Sequence, residues 1–315
     1  MSFLSTAVRS VLEQGEFCAV ATEAPRGPHC TPLVFTTSGG RIWVTTSRRS
    51  VKTRTWRTDP TVAGLVRHAE LGVAFTGTVK LYDALDRSTW SDAVAGATTI
   101  ARATASFSRK NARFFAGYAF DAKQVPFAWT PPGRVFVGID LDRTALIDEE
   151  GVQEGRGRWA GATVSHTTFR RTVSKLDALA QLPRDIRDAL GTGGEAALTL
   201  VGERGPVVVP ARWLAEEGTL YAALPDETLA LAAAGPDAAA ALTIDRAAEW
   251  RAREMVGAMV QGSASVHVLE GMGSGAKTAR ALAATIHPNA GALLRLAPSR
   301  LVWWHGWSSG SRDLA

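Results

Sequence analysis

The sequence predicts a mainly β protein with peripheral helices, built as two tandem copies of one β-rich unit. Three observations predict it. Short runs rich in β-branched and aromatic residues alternate with turn residues, as in FCAVATE, PHCTPLVFTT and RIWVTTS. Much of that order then returns. GPHCTPLVF around Gly27 is echoed by GPVVVPARW around Gly205, and the same offset of 178 carries Pro32 onto Pro210, Phe35 onto Trp213, Gly40 onto Gly218 and Trp43 onto Tyr221. Finally, 315 residues at 46% hydrophobic content suffice for two domains with a sizeable core.

Each element follows in order. STAVRSVLEQ (residues 5–14) forms a helix with Ser5 as N-cap. FCAVATE, PHCTPLVFTT and RIWVTTS are successive strands, the last two joined at Ser38-Gly39-Gly40. SVKTRTWRTD is a short helix, stopped before Pro60 because proline disfavours helical geometry in its predecessor. TVAGLVRH and LGVAFTGTVKLYD are strands, a mainly helical insertion spans about 84–124, and RVFVGIDL closes the unit. The second copy repeats TGTVKLYD around Gly77 as QGSASVHV around Gly262, and Pro132-Gly133-Arg134-Val135 as Pro298-Ser299-Arg300-Leu301. Matched glycines and prolines carry weight because each fixes backbone geometry other residues tolerate poorly. The domains are therefore set at 1–150 and 173–315, with 151–172 as a linker rich in glycine and charge.

Composition and motifs exclude several classes. The two cysteines, Cys18 and Cys30, imply no disulfide framework and are expected as buried free thiols in the first hairpin. No membrane span or signal peptide is visible, so a cytoplasmic location and no membrane partner are expected. The net charge of +5 concentrates in RRSVKTRTWR (Arg48–Arg57), with five cations and no acid. Trp56 is the one aromatic in that run, so nucleic acid is not the expected partner. The six histidines lack metal-ligand spacing, although His29 and His305 fall where either would approach a ligand. GMGSGAKT (Gly271–Thr278) fits neither a phosphate-binding loop nor a dinucleotide fingerprint and is expected as a turn opening a helix.

The constellation that carries chemistry lies in residues 17–66. A strand reads G-P-x-x-T-P, the next is aromatic and ends in T-T-S, and an R-x-S-x-K arm leads to a D-P turn. This pattern resembles the flavin-binding split-barrel superfamily that includes the pyridoxamine 5′-phosphate oxidases. The resemblance implies two split β-barrels forming a pseudo-dimer, with FMN as cofactor. It also implies site residues: Arg48, Ser50 and Lys52 on the flavin phosphate, Thr45 and Thr46 along the ribityl chain, and Thr31, Pro32, Leu33 and Val34 at the ring edge. An arginine fork, a lysine charge and a helix N-terminus make physical sense against a dianion. The asparagine usual after the lysine is absent, with Arg54 and Thr55 near its place.

In the second copy Arg48 becomes Asp226, Ser50 becomes Thr228 and Lys52 becomes Ala230. That segment would repel phosphate, so one cofactor per chain is expected. The second half would instead supply a wall, with Trp304 foremost and Arg212, Trp213, Trp303 and Trp307 as further candidates. The leading function is an FMN-dependent oxidoreductase acting on a small molecule. A deazaflavin coenzyme on the same fold, its acidic tail met by Arg49, Arg54 and Arg57, is the rival. A non-enzymatic flavin or haem carrier is the third reading. The insertion, with Trp90, Phe114, Phe115 and Tyr118, is where substrate specificity is expected. Two assemblies stay open: the fused barrels satisfy each other, or first halves pair between chains as a homodimer.

Overall fold

A computed structural model describes residues 4–120, 125–126, 130, 133–159, 161–174, 176–246 and 252–314. Helix α1 (Thr6–Gln14) is capped by the Ser5 hydroxyl, which accepts from the Val8 amide. Strands β1 (Phe17–Ala24), β2 (Gly27–Ser38) and β3 (Arg41–Ser47) follow. The short helix α2 (Val51–Trp56) precedes β4 (Thr61–His68) and β5 (Leu71–Tyr82). The insertion is helical as expected, with α3 (Trp90–Ala95), α4 (Ala97–Lys110) and α5 (Ala112–Phe120), and leads to β6 (Arg134–Ile147) and β7 (Val152–Arg156). The side chain of Tyr118 lies outside the described residues. In the second half α6 (Arg184–Leu190) precedes β8 (Gly193–Gly202), β9 (Gly205–Glu216) and β10 (Thr219–Leu224). Helix α7 (Asp226–Ala230), β11 (Asp237–Arg246), β12 (Val256–Val268), α8 (Ala276–Ile286), β13 (Ala292–His305) and β14 (Ser308–Asp313) complete it.

The two sheets have one topology. Strands run β3-β2-β1-β4-β5-β6-β7 in the first and β10-β9-β8-β11-β12-β13-β14 in the second. Pairing of β3 with β6, and of β10 with β13, closes six strands of each into a barrel. Closure pairs the outer edges of β3 and β10, which would otherwise invite aggregation. Both barrels also bulge at the same place, between Thr76 and Gly77 in one and between Gln261 and Gly262 in the other. The glycines are required there: a methyl group on Gly77 would strike the Asp140 carbonyl, and one on Gly262 the Ala297 carbonyl. Such a bulge bends a strand through the corner of a barrel.

Two expectations are corrected by the register. Trp43 pairs with Gly138 and its counterpart Tyr221 with Arg295, so the closing strands are related by an offset that sets Arg134 against Gly291 and Arg143 against Arg300. The likeness of Pro132–Val135 to Pro298–Leu301 is therefore fortuitous. It spans the longer β5–β6 connection, where the count along the chain no longer follows the fold. The sheet also runs past residue 150, because β7 pairs with β6 inside the segment taken as linker. Its side chains are half-buried or exposed, so no apolar alternation marked it as a strand. The glycine-rich Gly271–Thr278 stretch is a turn into α8, with Gly275 at φ 85°.

The barrels meet along β2. Only Phe35–Ser38 of β2 pair with β3, which leaves the earlier part of that edge to the other barrel. There the Thr243 hydroxyl donates to the Cys30 carbonyl (3.0 Å), the Gln261 amide to the Pro28 carbonyl (2.7 Å), and the Cys30 amide donates to Met259 Sδ (3.1 Å). All three bonds are buried. Around them Ala21, Cys30, Leu65 and Ile147 of the first half join the apolar core of the second. Replacing Thr243 by Val keeps the volume but leaves a buried carbonyl unsatisfied. Thr243→Val should destabilise the protein by about 1–3 kcal/mol in urea unfolding, and an unchanged midpoint would show that the seam does not hold the halves together.

Candidate functional site

One cavity of about 900 Å³ opens beside the seam. Strands β2, β3 and β6 of the first barrel form one wall, the insertion helices a second, and the β13–β14 hairpin of the second barrel a third. Its size is that of a cofactor or drug-sized ligand site. Eight of the ten residues singled out from the sequence line it: Thr31, Pro32, Leu33, Val34, Thr45, Thr46, Ser50 and Trp304. They converge because β3 ends at Ser47, where Thr45 and Thr46 come before Ser50, the N-cap of α2. The Ser50 hydroxyl accepts from the Thr53 amide (3.1 Å) and from the Thr46 hydroxyl (3.1 Å). Trp304 lies flat against Gly257, where a side chain would collide with its indole, and the buried indole Nε1 has no hydrogen-bond partner.

Arg48 and Lys52 are engaged outside this lining. Arg48 pairs with Asp83, and Arg57 donates to the other oxygen of that carboxylate (3.1 Å). Asp83 is 2% exposed and does line the cavity. Lys52 is fully buried beneath the wall, its ammonium donating to the Thr31 hydroxyl (2.5 Å). Burial lowers its pKa to about 8, against which the distant Cys30 and Cys18 thiols act more weakly. Thus the basic run Arg48–Arg57 is not a continuous exposed face.

Sequence reasoning missed the arginine that does line the cavity. Arg134 begins β6, opposite Ser47, and donates to the Thr45 hydroxyl (2.9 Å) and the Thr45 carbonyl (2.6 Å). Its pairing with β3 spans the whole insertion, and no local motif announces it. Phe136, also lining, stacks on Trp43 with centroids 5.0 Å apart. His29 lines the cavity as a neutral ring: burial, helped by Lys52 and Arg300, holds its pKa down to about 2. His305 instead bonds Asp185 (2.7 Å). Of the other wall candidates Trp303 lines the cavity. Trp213 is buried within its own barrel, Trp307 packs against the apolar cluster that includes Val34 and Phe114, and Arg212 faces elsewhere.

Where Arg212 faces is the pseudo-symmetric counterpart of this site. Ile147 stands opposite Gly72 as Trp304 stands opposite Gly257, and Pro210, Ala211, Arg212 and Thr228 replace Pro32, Leu33, Val34 and Ser50. That space has shrunk to about 60 Å³. An ion pair between Arg212 and Glu149 fills it, and Asn289 holds the Glu149 carbonyl (3.1 Å). Among the described residues the two equivalent crevices of the pseudo-dimer thus differ, one open and the other nearly closed. Among the described residues no helix is long and apolar enough to cross a membrane, and no cluster of metal-ligating side chains occurs.

Residues 4–125 match the family model of pyridoxamine 5′-phosphate oxidase. No curated protein matches the chain. A pyridoxamine 5′-phosphate oxidase-related, FMN-binding protein from Nostoc punctiforme is 16% identical, over 49% of this chain and 90% of that one, with a TM-score of 0.34. A conserved hypothetical protein from Mycobacterium tuberculosis is 23% identical, over 46% and 85%, with a TM-score of 0.33. A heme binding protein from Mycobacterium smegmatis is 12% identical, over 49% and 57%, with a TM-score of 0.33. With its closed six-stranded sheet and the match over residues 4–125, the first barrel belongs to the pyridoxamine 5′-phosphate oxidase-like superfamily of split barrels.

Proposed function

We propose that this chain is a flavin-dependent oxidoreductase that holds one FMN in the cavity between its barrels and acts on a small molecule. The observation that carries this reading is the convergence of hydroxyls and Arg134 in a cavity whose remaining walls are aromatic and aliphatic. A phosphoryl group suits the hydroxyl end: Thr46, Ser47 and Ser50 offer short polar contacts and Arg134 supplies a planar cationic fork. A planar ring suits the other walls, where Trp303, Trp304 and Phe136 present faces and the Trp304 indole N–H seeks an acceptor. Bound there, the flavin would supply hydride or electron transfer at its ring. The protein's part is to orient it, exclude water and bias its charge. Thr45 and Thr46 would lie along the ribityl chain and Thr31–Val34 at the ring edge. Arg48 would reach the phosphate by loosening from Asp83, and Lys52 by turning away from Thr31. A deazaflavin on the same walls is the alternative coenzyme.

FMN titration followed by flavin absorbance tests this. One equivalent per chain should bind, and Arg134→Ala should weaken binding by about tenfold to a hundredfold, the loss of one charge-assisted hydrogen bond. Two equivalents, or an unaffected variant, would contradict the assignment.

Lys52 makes a separate prediction. Its pKa falls from 10.5 to about 8 on folding. Between those values the unfolded chain keeps a proton that the folded chain lacks, so the penalty is full below pH 8 and fades as pH rises to 10.5. Lys52→Met should therefore stabilise the cofactor-free protein at pH 7.5 by up to about 3 kcal/mol. That advantage should shrink steadily towards pH 10.5. Urea unfolding of both proteins across this range reads it, and a pH-independent difference would exclude a buried ammonium.

A further inference from the structure

The insertion side of the cavity differs in chemistry from the arm side. Phe115 packs against Phe107 (centroids 5.8 Å) and edge-on to Phe114 (6.2 Å), with Ile100 and Ala93 continuing the wall. Met255, Val302 and Trp303 face them from the second barrel. Among the described lining residues the charged side chains are Asp83 and Arg134, and neither lies on the insertion helices. Both are already bonded, Asp83 to Arg48 and Arg57 and Arg134 to Thr45. The other titratable lining groups, His29 and Tyr82, stay neutral, because burial holds the imidazole pKa down and pushes the phenol pKa up.

The apolar wall also runs out to the surface. Trp90 lines the cavity yet is 48% exposed, and Leu85 and Val94, next in sequence to the lining residues Ala84 and Ala93, are 73% and 78% exposed. Isolated exposed apolar residues are ordinary, but a half-exposed tryptophan that also lines the cavity offers an apolar ligand a route in. An anion entering here would lose its hydration and meet no cation on this wall. A neutral aromatic ligand would gain in proportion to the apolar surface it buries.

We infer that the insertion-side compartment takes a neutral, apolar substrate of fused-ring size and rejects its anionic analogues. This rests on the arm side being the flavin's place, and it names the substrate class of that same site. Two fluorescent probes sharing one skeleton test it: neutral N-phenyl-1-naphthylamine and the anionic 8-anilinonaphthalene-1-sulfonate. Both are titrated into the full chain carrying FMN, and the neutral probe also into the chain without it. The neutral probe should bind at least about tenfold more tightly than the sulfonate. Ile100→Glu, which sets a carboxylate in the wall, should weaken the neutral probe by about tenfold or more, whereas Ile100→Leu should retain it. Equal affinity for the two probes, or a neutral probe indifferent to Ile100→Glu, would overturn the inference. If Ile100→Glu does not fold, the ratio of the two probes on the unaltered chain decides. FMN binding without the neutral probe would sink the substrate class alone, while probe binding as described without FMN would sink the flavin proposal and leave the apolar compartment standing.

Discussion

The rest of the structure depends on how the open edge of β2 is satisfied. Backbone groups that lie buried must find partners, and the Pro28–Cys30 stretch has none from β3. Thr243, Met259 and Gln261 supply them from the second barrel. The two halves are thus fused by hydrogen bonds as well as by apolar contact, and the β2 edge is not complete alone. The seam also sets the β13–β14 hairpin against the first barrel. Without that hairpin the cavity would lack the wall carrying Trp303 and Trp304.

Duplication explains why one chain has both an open and a closed version of the same place. Two copies of a barrel joined face to face generate two equivalent crevices. In one crevice small and hydroxylated residues, Thr46, Ser47 and Ser50, keep space at the end of β3. In the other, Arg212 and Glu149 meet across it and leave about 60 Å³. The second half instead walls the open crevice through Met255, Val302, Trp303 and Trp304. That division suits a chain in which the basic arm survives in one copy and is acidic in the other.

Much of the fold was legible because residues with unusual backbone demands recur. Gly77 and Gly262 sit at equivalent bulges where any side chain would strike a carbonyl, so their match reported real geometry. Trp43 and Tyr221 match because each fills the same buried place in its barrel. The likeness of Arg134 to Arg300 misled, since chance sequence similarity across an insertion carries no register. Of the site, the local part was legible: the stretch from Thr45 to Ser50 is a strand end and a helix cap, each readable in a few residues. The long-range partners were not. Nothing near Arg48 announces Asp83, nothing near Thr45 announces Arg134, and the burial of Lys52 beneath Thr31 depends on how three strands close.

The central claim is that a flavin occupies the crevice walled by both barrels, once per chain. A crystal structure of the protein grown with FMN tests it most directly. The account predicts a single flavin, its phosphate among Thr46, Ser50 and Arg134 and its ring against the Trp303–Trp304 hairpin. A flavin beside Arg212 and Thr228, or one bound on the surface away from the seam, would contradict it.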